Sequence, residues 1–192
     1  MKSFLVLPAV LLASLVASNA SAQIFINPYV DTTLDSPSPY GNSGRAGFGV
    51  SLGNVGKVVG FETDIAYQPE LVNNTANGLA KNRVITFSGN VLVGPTLGRV
   101  KPYGALGAGN LNLNATSLTS LVIPNPTSIS NNYFTVNFGG GVMGFFTDHL
   151  GMRGDVRYFR AYGFDASALE TAGLSFDQFT FWRANVGLAV KF

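Results

Sequence analysis

The sequence predicts an all-β fold, an eight-stranded antiparallel up-and-down transmembrane β-barrel, and three observations carry that expectation. From Gln23 onward, eight segments alternate apolar and other residues with period two, with almost no helical periodicity. The connections between them alternate short and long. Charged residues make up only 11% of the chain and apolar ones 46%, whereas about 25% charge is usual in a soluble domain. Something other than charge must cover the outside of this molecule.

The first 22 residues read as a segment apart. Met1-Lys2 is a short basic start, and "FLVLPAVLLASLV" (residues 4–16) is an apolar stretch too short to span a bilayer with margin. Ala20-Ser21-Ala22 then fits an A-x-A cleavage site. The expected organisation is a secretory signal over residues 1–22 and one barrel domain over residues 23–192. The chain has no cysteine, which excludes disulfides and a lipid-modified N-terminal cysteine. No apolar run after residue 22 approaches the length of a membrane helix. Net charge is +2, and +1 without Lys2, with no basic run, so nucleic acid is not an expected partner.

The expected strands cover 24–34, 44–53, 58–68, 83–94, 99–114, 133–146, 150–162 and 177–192. Asn27-Pro28 interrupts the first, because proline cannot donate to a ladder. Three connections are short: "GNVGK" near 53–57, "GPTLGR" at 94–99 and "TDHL" at 147–150. Four are long and polar, near 35–44, 70–82, 115–132 and 163–176. A meander with this rhythm gathers all short turns at one end and all long loops at the other. Eight strands place both ends of the barrel segment with the short turns.

A closed meander is either a soluble lipocalin-like barrel or a membrane barrel, and the two differ in which face is apolar. In the last strand one parity holds Trp182, Ala184, Val186, Leu188, Val190 and Phe192, and the other Arg183, Asn185, Gly187, Ala189 and Lys191. Phe61, Ile65 and Tyr67 oppose Glu62, Asp64 and Gln68. Leu150, Met152, Val156 and Tyr158 oppose Arg153, Asp155 and Arg157. Turned inward, the bulky parity would overfill an eight-stranded interior. Turned outward it meets lipid, and closure leaves no unpaired backbone edge in hydrocarbon. Trp182 and Phe192 lie ten residues apart on that face. At a tilt near 40° this spans about 26 Å along the membrane normal, close to the apolar band of such barrels. Trp182 is expected in one aromatic girdle, and Phe192, Tyr103 and Phe146 in the other.

With these features the chain resembles the small eight-stranded outer-membrane β-barrels, the OmpA/OmpX-type superfamily with its opacity-protein relatives. The resemblance covers the whole segment after residue 22 and is sharpest in "NVGLAVKF". There Asn185, Gly187, Val190 and Phe192 match the family's pattern of polar, glycine, apolar and terminal aromatic positions. That pattern implies recognition by the barrel-assembly machinery. "TDHLGMRGDVRYFRAYG" also looks like a stretch common in the superfamily. The resemblance implies a bacterial outer-membrane address, long loops outside, termini in the periplasm, and contact with membrane lipid and lipopolysaccharide.

Glu62, Asp64, Arg153, Asp155, Arg157, Arg183 and Lys191 are expected to form a lumen charge network. Paired carboxylates can serve acid–base catalysis. Mixed charges inside a narrow barrel more often plug it with ion pairs, since burial demands pairing. His149, the only histidine, falls in a short turn, at the wrong end for a lipid A-modifying site at the outer leaflet. One histidine without cysteine makes a transition-metal cluster an unexpected feature. Arg153-Gly154-Asp155 spells an adhesion tripeptide but falls inside a strand. "GALGAG" (residues 104–109) resembles a nucleotide loop, yet no helix follows it. Asn73-Asn74-Thr75 and Asn114-Ala115-Thr116 match a glycosylation pattern of little force in a bacterial outer-membrane protein. The expected function is structural or surface-interacting (adhesin-like), without catalysis or cofactor. A narrow porin-like channel and a lipid A-modifying enzyme are the alternatives. Loop apolar residues Leu118, Leu121, Val122, Ile123, Leu169 and Leu174 are the candidate contacts with an unidentified extracellular partner or lipopolysaccharide.

Overall fold

The computed structural model describes residues 23–35, 45–69, 79–117, 128–162 and 179–192. The expected signal segment, the Asn73 pattern and the apolar loop residues Leu118, Leu121, Val122, Ile123, Leu169 and Leu174 lie outside the described residues. Eight strands run in chain order: β1 (Gln23–Asp35), β2 (Ala46–Val55), β3 (Val59–Pro69), β4 (Leu79–Val93), β5 (Val100–Ser117), β6 (Ser128–Phe145), β7 (Leu150–Tyr162) and β8 (Phe179–Lys191). Each pairs antiparallel with the next, and β1 pairs with β8 to close the barrel.

Period-two alternation makes these segments strands, and closure satisfies their edges. The first strand is continuous, so the expected interruption at Asn27-Pro28 does not occur. Pro28 faces Val50 in the β1–β2 register, while the β1–β8 register passes from Ile26↔Val190 to Tyr29↔Gly187 without a pair at Asn27 or Pro28. A residue without an N–H is tolerated where a ladder position is open.

Three turns tie one end together. In the β4–β5 turn, Leu97 and Val100 exchange backbone bonds of 2.8 and 3.1 Å, and Gly98 takes φ 64°. Glycine adopts that left-handed conformation without a Cβ clash. In the β6–β7 turn the Thr147 hydroxyl accepts the N–H groups of Leu150 (2.9 Å) and His149 (3.3 Å). At the opposite end β4, β5 and β6 run further than the alternation indicates. β4 begins at Leu79, and β5 and β6 stay paired to Thr116↔Ser128. The added ends carry turn-forming residues such as Asn82, Asn131 and Asn132, but tertiary pairing overrides weak strand propensity.

The outward face is apolar and the interior is charged. Phe48, Leu106, Phe134, Phe138, Phe146, Leu188 and Phe192 are exposed, while Arg153, Arg157 and Arg183 are among the largest fully buried side chains. That inversion is the arrangement of a membrane barrel and runs against the lipocalin-like alternative, whose outer face meets water and whose interior is apolar.

The interior is layered. Towards the turn end, Phe25, Leu92, Tyr103, Ala105 and Met143 form one apolar cluster. Towards the loop end, Val84, Leu111, Tyr133, Phe159, Ala161 and Phe181 form another. Phe159 and Phe181 stack with centroids 5.0 Å apart and planes within 5°. The charges lie between these layers. The parity reading foresaw small polar residues and charges inside, not these aromatic floors.

Candidate functional site: the lumen ion-pair network

β3, β7 and β8 deliver the charges because their polar positions share the lumen parity. Arg153 donates to Glu62 from Nη1, and to Asp155 Oδ2 from Nη2 at 2.8 Å. Arg157 Nη2 reaches Glu62 Oε1 at 2.8 Å and Asp155 Oδ2 at 2.9 Å. Two carboxylates thus share two guanidinium groups. Tyr103 donates its hydroxyl to Asp155 Oδ2 at 2.7 Å and accepts from Arg153 Nε at 2.7 Å. Asn185 Nδ2 donates to Asp155 Oδ1 at 2.6 Å, and Asn90 Nδ2 to Glu62 Oε1 at 3.2 Å.

A second group sits nearer the loop end. Arg183 Nη2 pairs with Asp64 Oδ1 at 2.7 Å, and its Nη1 donates to Thr86 Oγ1 at 3.1 Å. Tyr29 donates to Asp64 Oδ2 at 2.6 Å. The Arg183 guanidinium lies 4.5 Å from the Phe159 ring centroid and 5.7 Å from that of Tyr29. Arg153 lies 5.0 Å from the Tyr103 centroid and 5.5 Å from that of Phe25. Aromatic faces attract the delocalised cation and seal it from water. Beside this group, Gln68 Nε2 donates to Asp31 Oδ1 at 2.8 Å.

Glycines open the space these side chains need. A Cβ on Gly49 would overlap the Tyr29 ring. One on Gly141 would overlap the Asp155 side chain and stand 2.7 Å from the Tyr103 hydroxyl. Small residues on the lumen face of β2 and β6 therefore balance long ones on β1 and β7.

Six of the seven expected network residues meet here: Glu62, Asp64, Arg153, Asp155, Arg157 and Arg183. Lys191 shares the lumen parity but stands apart at the turn-end mouth, with Nζ 4.5 Å from the Phe145 ring centroid. Tyr103 is a correction. It is buried in the lumen at 5% exposure and belongs to the network, not to an outer girdle. Its parity is fixed by its buried neighbours Lys101 and Ala105, and neither parity of β5 is rich in aliphatic residues. Phe146 and Phe192 do project outward, at 60% and 71% exposure. Trp182 joins Tyr158 and Phe138 in an outward aromatic row, with centroids 5.2 Å apart for both Trp182–Tyr158 and Tyr158–Phe138.

Tyr29, Asp31, Thr86, Asn90, Tyr103, Asn185 and Ser51, whose hydroxyl accepts from Arg153 Nη1 at 3.3 Å, are network members that sequence reasoning did not assign to it. The alternation of Asn27, Asp31 and Thr33 against Ile26, Val30 and Leu34 in β1 was the available signal. His149 lies outside the lumen, its Nδ1 3.0 Å from the Lys191 carbonyl oxygen. Arg153 and Asp155 of the adhesion-like tripeptide are buried at 1% and 4% exposure, so neither can meet a receptor. "GALGAG" is part of β5, where its residues pair with β4 and β6. The Asn114 side chain lies outside the described ones.

Comparison with solved structures finds barrels of the same fold. Neisserial surface protein A is 16% identical, with a TM-score of 0.58, covering 88% of this chain and 97% of that one. Ail, the attachment invasion locus protein of Yersinia pestis, crystallised with the heparin analogue sucrose octasulfate, is 13% identical, with a TM-score of 0.57, covering 89% and 97%. A major outer membrane protein from Thermus thermophilus is 14% identical, with a TM-score of 0.56, covering 91% and 100%. A search of curated proteins gave no match. A family model described as outer membrane protein beta-barrel domain matches residues 7–192. The match spans nearly the whole sequence and agrees with the closed eight-stranded barrel and its apolar coat: this chain belongs to the outer membrane protein beta-barrel family and is a bacterial outer-membrane β-barrel protein.

Proposed function

We propose that this barrel is a non-catalytic, closed scaffold that presents its loop-end segments at the cell surface, in a structural or adhesin-like role. The observation that carries the reading is the lumen. Three arginines and three carboxylates are paired between two apolar layers. Buried charges held in ion pairs keep their positions, because separating them exposes each to an uncompensated environment. Such a lumen is a plug. Single-channel recording of the refolded mature chain in planar bilayers tests this, with no stable openings expected. Large, long-lived conductance steps would overturn it in favour of the porin-like reading.

In this reading residues 1–22 are removed on export, the turn end faces the periplasm, and the loop-end connections contact lipopolysaccharide or a surface partner. Neighbours named for surface exposure and attachment support an interaction role. The barrel supplies rigidity, and loops supply variable contacts. The orientation has its own test. Protease added to intact cells should cut within 118–127 or 163–178 and leave the strands whole. Cleavage only after the outer membrane is breached would reverse the topology.

A further inference from the structure

At the turn end a cavity of about 240 Å³ opens in the barrel mouth, lined by Lys57, Arg99, Lys101 and Lys191 together with Asp148 and the Phe145 ring. Four cations face one carboxylate. Lys101 is the anchor. It comes from β5 at a lumen position and is 2% exposed. Its Nζ donates to the Gly56 carbonyl oxygen at 2.5 Å. An ammonium carries three donors, and this is its one hydrogen bond among the described residues. No described carboxylate forms an ion pair with it. A buried charge without a counter-charge is costly. Here the one carboxylate on the wall, Asp148, forms no ion pair with Lys101, and the space before the ammonium is open.

The other cations are held so that they still have donors to give. Arg99 uses Nη1 on the Phe146 carbonyl oxygen at 2.9 Å. Lys191 rests on the Phe145 ring, and Lys57 is exposed. Cleavage before Gln23, which also lines the cavity, would add an α-ammonium. We propose that this mouth is a binding site for a small phosphate-bearing anion that enters from the water side. The volume is below the roughly 300–1,000 Å³ of sites that enclose drug-sized molecules, so an inorganic phosphate or diphosphate group fits and a nucleotide does not. The source follows from parity. Lys101 and Lys191 share the lumen-facing parity of buried Met143 and Ala189, so their heads point into the mouth and not into the bilayer. A lipid headgroup would have to fold over the rim to reach them. Only the compartment's name rests on the proposed orientation.

The test uses the mature chain folded in zwitterionic nanodiscs and titrated with inorganic diphosphate at low ionic strength. Backbone amide shifts in NMR spectra report the site. One saturable event is expected, centred on residues 56, 99–101 and 191. Lys101→Met should weaken it about tenfold, the equivalent of one charge-assisted hydrogen bond. Arg83→Met, on the outer face near the loop end, should leave it unchanged. Heat-modifiable migration checks that each variant folds. If Lys101→Met does not fold, Lys191→Met replaces it, with the same direction of change expected. Non-saturable shifts, or equal affinity in the folded lysine variants, would overturn the site. Loss of diphosphate binding when the discs contain phosphatidylglycerol would overturn the aqueous source, because a lipid phosphate would then hold the mouth.

Discussion

Arg153→Ala is expected to destabilise the barrel by about 3–5 kcal/mol, the usual cost of breaking a buried ion pair from one side. Arg153 serves Glu62, Asp155, Tyr103 and Ser51 at once. Its removal leaves Glu62 and Asp155 sharing Arg157 alone. Two carboxylates then crowd one cation in a site with almost no solvent. Denaturant titration of the refolded barrel, followed by heat-modifiable gel migration, reads the loss. An effect within about 0.5 kcal/mol, as at a surface position, would show that the network carries little of the stability.

The Arg183–Asp64 pair separates two explanations of such a loss. Arg183→Met alone strands the Asp64 carboxylate beside Tyr29. Adding Asp64→Asn removes that charge and keeps an acceptor for the Tyr29 hydroxyl. The methionine side chain can lie on the Phe159 ring that now supports the guanidinium. The double variant should therefore be more stable than Arg183→Met alone, since replacing both partners of a buried pair is often close to neutral. If the two losses simply add, stability comes from packing volume and not from charge pairing.

The sequence made the strands readable because the signal is local. In β8, each residue from Trp182 to Phe192 declares its face by comparison with its neighbours, and all of them face as expected. β7 reads as clearly, with Arg153, Asp155 and Arg157 inside. β5 does not. "KPYGALGAGNLNLN" carries Leu106 on one parity and Leu111 on the other, and glycine supplies no preference. Leu106 is 67% exposed and Leu111 is fully buried, so leucine alone could not set the phase. Tyr103 was misplaced for that reason. The apolar layers escaped for a different one. Phe159 and Phe181 share parity with Arg157 and Arg183, and alternation places a residue on a face without giving its depth. Depth depends on strand tilt and on what the other seven strands present at the same level, which no single segment encodes.

Phe192→Ala is expected to separate assembly from stability. The ring is 71% exposed on the outer face, and the Phe192 N–H donates to the Ile24 carbonyl oxygen at 2.8 Å, a backbone bond that alanine preserves. Truncating the ring removes almost no packing inside the barrel. The folded variant should thus stay within about 0.5 kcal/mol of the parent, as exposed substitutions usually do. Its membrane insertion in cells should nonetheless fall several-fold, if the Asn185, Gly187, Val190 and Phe192 pattern is read by the assembly machinery as a linear address. Geometry divides that pattern in a way the address does not need. Asn185 faces inward onto Asp155, while Val190 and Phe192 face lipid. An address read on an unfolded strand uses both faces together, whereas the finished barrel uses each separately. Asn185→Ala is the contrasting variant, because it should lower stability through Asp155 as well as assembly. Pulse-labelling with outer-membrane fractionation measures insertion, and denaturant titration of refolded protein measures stability. If Phe192→Ala inserts at the parental rate, the terminal aromatic acts only as an interfacial anchor.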